Sequence, residues 1–432
     1  MTGDVGPNWA GNTSWAGNTN WAGNYVFGAP ELVTPDSVER LQELVSARPR
    51  IRALGTRHSF NDLADSAGTL VSLVGRDSEP RLDTERMTVS VAAGTRYGVL
   101  ASWLNTRGFA LHNMGSLPHI SVAGAIATGT HGSGNTLGNL STAVAGLQLV
   151  VGDGQLLEVD RTHPQFEGMV VSLGALGIVT RVTLDIQPTF DVRQDVYQAL
   201  PWDVALAEFE AITSSAYSVS LFTDWLGDTI QGAWFKTRLA AGETGSMPPG
   251  MFGATAATTE TSLVEGEDNT TVQGGIPGPW SERLPHFRLD STPSNGDELQ
   301  TEYFVDRRNA PDALAAVRTL GEFIVPHLLI TELRTVAADG LWLSPAKGRP
   351  SLAIHFTWKN EPAAVARLAP RIQAALAPFD ARPHWGKVNT MTAVDIAPLY
   401  PRLPEFAALA ERMDPQHRFR NSYLDRVLGL AD

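Results

Sequence analysis

Between Ser116 and Gly134 the sequence reads SLPHISVAGAIATGTHGSG, with Gly124, Gly129, Gly132 and Gly134 set among Ser116, Ser121, Thr128, Thr130 and Ser133. Glycines let backbone approach a ligand closely, and free N–H groups beside short hydroxyls bind an anion such as a pyrophosphate. Apart from His119 and His131 the stretch has no acidic or basic residue, so it reads as a buried loop wrapped around a phosphorylated cofactor. A second group of residues is spaced for a sheet. In TELRTV, Glu332 and Arg334 share one strand face and Leu333 takes the other; in IHFTW, His355 and Thr357 share a face for the same reason. Lys387 would share a face with Trp385 if HWGKV is extended. Taken alone, these charges read either as a structural Glu–Arg pair with a solvated lysine or as the lining of one polar cavity.

Composition narrows the chemistry. The chain has 432 residues, 43% hydrophobic and 18% charged, with a formal net charge of −13. That balance argues against nucleic acid or an anionic membrane surface as a partner. The best apolar run, Phe323–Ile330, is interrupted by Pro326 and His327 and is too short to span a bilayer. No basic and apolar leader opens the chain, so a cytoplasmic location is expected. With no cysteine there are no disulfides, thiolate nucleophiles or cysteine-held metals. HExxH, the P-loop and a strand-to-helix G-x-G-x-x-G are missing too, so neither a metal site, an NTPase nor a nicotinamide Rossmann enzyme is expected.

The elements that must position these residues suggest an α+β fold in two domains. WAGNTS, WAGNTN and WAGNYV form a six-residue repeat at Trp9, Trp15 and Trp21, too short for a solenoid. It reads as a duplicated terminal segment, disordered over 1–20, with only the last copy in the fold. Thr34-Pro35-Asp36 predicts a helix over 35–46. Strands are expected at Ile51–Leu54, Met87–Gly94 and Gly177–Ile186, a helix from Tyr97 to Gly108, and a hairpin of Leu147–Val151 and Leu156–Val159. From about residue 190 strands are expected at Tyr217–Trp225, Trp234–Arg238, Leu329–Val336 and Leu352–Trp358. Helices are expected at Ala310–Phe323 and Pro362–Leu376. Residues 240–276 read as a long irregular loop.

LGTRHSFND (Leu54–Asp62) followed by the Ser116–Gly134 stretch resembles the vanillyl-alcohol oxidase superfamily of FAD enzymes. ELRTVAAD (Glu332–Asp339), IHFTW (Ile354–Trp358) and RPHWGKV (Arg382–Val388) are similar to the alditol and xylitol oxidases within it. The resemblance runs from about Trp21 to the C-terminus. One departure is Arg57, where many relatives have glycine. The resemblance implies an FAD-binding α+β domain over 21–187 and a substrate-capping domain over 188–388, an antiparallel sheet flanked by helices. Residues 389–432 would return to the FAD domain.

For the cofactor, the resemblance implies a covalent bond from His58 to the flavin 8α-methyl; alone, His58 also reads as a hydrogen-bonded structural histidine. Ala53, Leu54, Gly55, Thr56, Arg57 and Ser59 would form one side of an FAD clamp. Ser116, Ser121, Gly124, Thr128, Gly129, Thr130 and His131 would form the other, with Gly177, Ile178 and Val179 at the adenine end. Ser116, Glu332, Arg334, Thr357 and Lys387 would bind a polyol through adjacent hydroxyls. Catalysis would remove a hydride from C1 to flavin N5 and a proton from the C1 hydroxyl. Arg334 and Lys387 would stabilise the alkoxide, Glu332 would orient them and His355 would assist proton transfer. Gly115 would leave oxygen access to the ring, so O2 is the expected acceptor and H2O2 the product. The expected activity is oxidation of the primary hydroxyl of xylitol or sorbitol by a monomeric chain. The alternatives are a sugar-1,4-lactone oxidase or dehydrogenase, an NADPH-dependent reductase on the FAD fold, and a polyol-binding module without catalysis.

Overall fold

The first helix starts three residues later than the expected residue 35: Ser37 caps it, its side chain accepting from Arg40 N, and the helix runs Val38–Ala47 with Leu41, Leu44 and Val45 buried. The computed structural model describes residues 18–75, 79–240, 243–244, 248–261, 269–291 and 297–430. The first half of the WAGN repeat, residues 9–17, therefore lies outside the described residues. Asn18 and Asn20 are nevertheless buried, and Thr19 bridges Val26, so ordered chain begins before the boundary read at residue 21.

Two sheets build the first half. Glu31–Val33, Thr69–Val71 and Ile51–Ala53 form a parallel three-stranded sheet. Arg81–Asp83, Thr88–Ala92, Ile178–Asp185, Val144–Val150 and Leu156–Asp160 form an antiparallel five-stranded one. The Ser116–Gly134 stretch is not loop throughout: Val122–Ala127, rich in alanine, closes into a short helix. Near the C-terminus the chain packs back on this half, where Arg418 O accepts from Ile51 N and Arg426 pairs with Asp62 at 2.6 Å.

The second half is a large antiparallel sheet. Its central order is Asp191–Pro201, Thr229–Leu239, Ser218–Thr223, Leu328–Val336, Ser351–Lys359 and Glu298–Asp306. Two of these strands, Asp191–Pro201 and Glu298–Asp306, have no counterpart in the sequence expectations. Part of the segment read as an irregular loop, Gly250–Met251 and Ala254–Ala256, forms a small hairpin on the sheet edge, where Ala256 pairs with Tyr197. Residues 241–242, 245–247 and 262–268 of that segment lie outside the described residues.

Alternation divides the sheet into two chemistries. Leu299, Tyr303, Leu333, Ile354, Phe356 and Trp358 pack with Leu314, Val317, Val365, Leu368 and Ile372 of helices Ala310–Arg318 and Pro362–Leu376 in one apolar cluster. The intervening residues, facing the other way, are polar and meet the first half. Burying a leucine or phenylalanine contributes about 1.5–3 kcal/mol. The apolar face therefore fixes the register, and a slip of one residue would turn the polar set into the core.

Candidate active site

A single cavity runs between the two halves. Its first-half wall includes Ala53–Phe60, Gly94, Gly115, Ser116, Ser121, Gly124, Thr128, Thr130, His131, Gly174, Gly177 and Val179. Its second-half wall comprises Phe222, His286, Phe287, Glu298, Gln300, Glu302, Ile330, Glu332, Arg334, His355, Thr357, His384, Gly386 and Lys387. Two of the residues expected to touch cofactor lie elsewhere. Ile178 points out of the cavity into a cluster with Leu44 and Val150, because strand alternation sends only its neighbours Gly177 and Val179 inward. Gly129 packs against Pro345, and its φ of +68° makes it a turn residue.

The first-half wall fits FAD on three observations. Among the described residues it presents no carboxylate; every acidic group lining the cavity comes from the second half. Its two loops touch through glycine: a Cβ at Gly55 would lie 2.7 Å from Ser121 Oγ, while Ser121 N donates to Thr56 Oγ1 at 3.1 Å. Third, His58 Nδ1 is buried without a hydrogen-bond partner, and burial pushes the ring's pKa down to about 3, leaving a neutral imidazole. Trp21, from the last repeat copy, stacks on His58 with ring centroids 5.3 Å apart, and its backbone N–H donates to Arg57 O. Arg57 holds a φ of +64°, in the left-handed region that glycine enters without strain.

At the other end, register assembles the polar set. Glu332, His355 and Glu302 lie in one row across three strands, and Gln300 pairs with Thr357 in the next. Arg334 is the hub. It donates to Ser116 Oγ at 3.2 Å and to Glu302 Oε1 at 2.8 Å, and its Nε lies 3.5 Å from Glu332 Oε2. Glu302 Oε1 also meets His131 Nε2 at 3.0 Å, joining the Gly/Ser loop to the sheet. Burial pushes both carboxylates up, but His131 and Arg334 beside Glu302, and Arg334 and His286 beside Glu332, hold them well below the usual range. Lys387 bonds Gln300 Oε1 and lies over the Phe60 ring; burial pushes it down to about 8. His355 has both ring nitrogens buried without hydrogen-bond partners, 3.9 Å from Glu332 at the nearest, and burial lowers its pKa.

The structure thus brings Ser116, Glu332, Arg334, His355, Thr357 and Lys387 to one cavity end. The geometry read for Lys387 is different, though. His384–Lys387 is a turn closed by Lys387 N to His384 O, and Trp385 is buried in the core against Leu343 O. Asn61 donates to Trp385 O and Lys387 O, each at 2.8 Å, so the His58 loop carries the lysine turn. Sequence reasoning missed Glu302, Gln300 and His286. Glu298, Gln300 and Glu302 alternate with Leu299 and Tyr303 in ELQTEYF, a readable period of two. His286 lies in an irregular segment with no periodic signal.

Comparison with known proteins agrees with this arrangement. Residues 29–160 match a family described as FAD binding domain, and residues 296–427 one described as D-arabinono-1,4-lactone oxidase. An alditol oxidase from Streptomyces sp. is 44% identical over 98% of both chains. An L-gulono-1,4-lactone dehydrogenase of Mycobacterium tuberculosis is 28% identical over 92% of this chain and 96% of its own. A crystal structure of cholesterol oxidase from B. sterolicum superposes with a TM-score of 0.75 at 15% identity, covering 95% and 96% of the two chains, and shares the fold. Among the described residues no helix is long and apolar enough to cross a membrane. The chain belongs to the alditol oxidase family of FAD-dependent oxidoreductases.

Proposed function

We propose that the chain oxidises the primary C1 hydroxyl of an alditol such as xylitol or sorbitol to the aldose, with FAD attached through His58 and O2 as the acceptor. The observation that carries this reading is the ring of donors and acceptors at one cavity end: Ser116, Gln300, Glu332, Arg334, His355, Thr357 and Lys387. Adjacent hydroxyls need both kinds of partner, and a site built for them rejects analogues that lack them. Bound FAD supplies a two-electron acceptor that O2 can reoxidise. His58, neutral and with Nδ1 free of a hydrogen bond, has a lone pair available for the link. Ser121, Thr56 and the glycine contacts between their loops would hold the phosphates.

At the substrate, Arg334 and Lys387 stabilise negative charge as the C1 hydroxyl loses its proton. His355, kept neutral by burial and with unpartnered ring nitrogens, accepts that proton. Glu332 and Thr357 hold neighbouring hydroxyls. The test is anaerobic flavin reduction by xylitol, sorbitol, glycerol and a sugar-1,4-lactone, with peroxide followed in air. Rapid reduction by the polyols supports the reading. The match of residues 296–427 to the lactone oxidase description favours a lactone as the second choice, and reduction by the lactone alone would replace the first.

A further inference from the structure

Lys236 sits mid-strand in Thr229–Leu239, 1% exposed, and no part of the proposed reaction uses it. Its ammonium spends its donors inside the protein: on Leu284 O at 2.6 Å, Pro285 O at 3.1 Å and His286 Nδ1 at 3.0 Å. Burial lowers Lys236 to about 7, and below that pH it is an ammonium that offers only donors, so His286 Nδ1 accepts and the ring proton sits on Nε2. Nε2 faces Glu332 Oε1 at 2.6 Å. The same segment reaches the other side of the site, because the N–H groups of His286 and Phe287 both donate to Ser116 O.

We propose that Lys236 is a positioning residue for polyol oxidation, fixing His286 as the Nε2–H tautomer that donates to Glu332 and anchoring the segment that carries Ser116. The inference rests on the reading of Glu332 and Ser116 as substrate contacts. Glu332 answers to two neighbours of opposite consequence. Arg334, permanently charged, orients it, whereas His286 donates one hydrogen bond without bringing a charge. An imidazolium at 286 would neutralise the carboxylate that is to receive a substrate hydroxyl. Burial opposes that state, and the ammonium of Lys236 adds to the effect by placing a cation against Nδ1. The groups facing His286 are Lys236 from its strand, Ser220 Oγ at 3.5 Å from the neighbouring strand, and Glu332 and Arg334 from the next; Arg283 adds positive charge near Lys236. Phe222 and Trp234 pack edge-to-face against the ring.

The experiment compares the wild-type holoenzyme with Lys236→Met. Its first readout is the tautomer and titration of His286 by 15N-histidine NMR without substrate, assigned with His286→Gln. In the wild type His286 should stay an Nε2–H imidazole from about pH 5.5 to about pH 7, and in K236M, where the ring is still buried but the cation is gone, it should take up its second proton at a higher pH than in the wild type. The second readout is steady-state kinetics. K236M should raise the KM for polyol about tenfold, the scale of one charge-assisted hydrogen bond, with a smaller change in kcat and a new acid limb in kcat/KM. If K236M does not fold, His286→Leu, which removes the donor, should raise KM likewise, and His286→Gln, which keeps a donor and cannot titrate, should restore it. An Nδ1–H tautomer in the wild type, or unchanged KM and pH profile in K236M or H286L, overturns the proposal. Wild-type flavin that no polyol reduces would defeat the functional reading instead, leaving the NMR result to stand on its own.

Discussion

Glu302 and Arg334 meet at 2.8 Å in a pocket where both are nearly fully buried, and the carboxylate oxygen they share is also the one that His131 reaches. The guanidinium expected to meet substrate is thus aimed from behind by a residue on a different strand. Glu302→Gln keeps the shape but removes the charge that holds Arg334. Losing a charged hydrogen bond costs about 1.5–3 kcal/mol, so polyol-driven flavin reduction should slow about 10- to 100-fold. Flavin content should stay near wild type. Proportional loss of flavin and rate would mean that Glu302 serves the fold alone.

Lys387 gives the site a pH signature. Burial lowers its pKa to about 8, so the group loses its proton as pH rises through about 8. If its cation stabilises the developing alkoxide, the reduction rate is full below that pH and falls above it. Lys387→Arg, charged throughout this range, should remove the limb, and Lys387→Ala should slow reduction at every pH while retaining flavin. A rate that climbs through about pH 8 in the wild type would instead make the neutral amine the base.

Acid precipitation separates covalent from bound flavin at His58. The wild type should keep yellow colour in the pellet, and His58→Ala should release all of it to the supernatant. Trp21→Ala removes the ring stacked on His58 at 5.3 Å, so part of the flavin should become releasable without change in His58 itself. An undiminished covalent fraction in Trp21→Ala would show that the stack does not position the imidazole.

Which residues of the site could be read in advance follows from periodicity. Glu332, Arg334, His355 and Thr357 sit in regular strands, where a period of two decides the face and the apolar partners Leu333 and Phe356 confirm it. Glu302 is as legible by the same rule, but its strand follows a Gly-, Pro- and Thr-rich stretch that carries no pattern to mark where the alternation begins. Trp385 and Lys387 lie in a turn, where a period of two does not decide the face, and Asn61 holds that turn from a loop more than three hundred positions earlier. His286 and Lys236 meet only through tertiary contact, and no local spacing encodes that. Arg57 lies between these cases. Its place in a glycine position was visible, and the cost, a left-handed backbone of about 1–2 kcal/mol, is a property of the turn.

Gly115 offers a test of oxygen access that the fold itself makes clean. A Cβ built there would meet Ile120 Cδ1 and Thr130 Cγ2 at 3.7 Å and His131 O at 3.8 Å, ordinary van der Waals contact, so Gly115→Ala should fold without displacement. The added methyl would stand in the cavity wall beside Ser116, where Arg334 already fixes the neighbouring hydroxyl at 3.2 Å. Substrate contacts would be kept and the space left for O2 reduced. Stopped-flow measurement should therefore show anaerobic reduction by xylitol within about twofold of wild type, a difference of only about 0.4 kcal/mol. Reoxidation by O2 should slow by about tenfold or more, equivalent to about 1.4 kcal/mol. If both half-reactions slow equally, the methyl acts on substrate placement, and the reading of Gly115 as an oxygen passage fails.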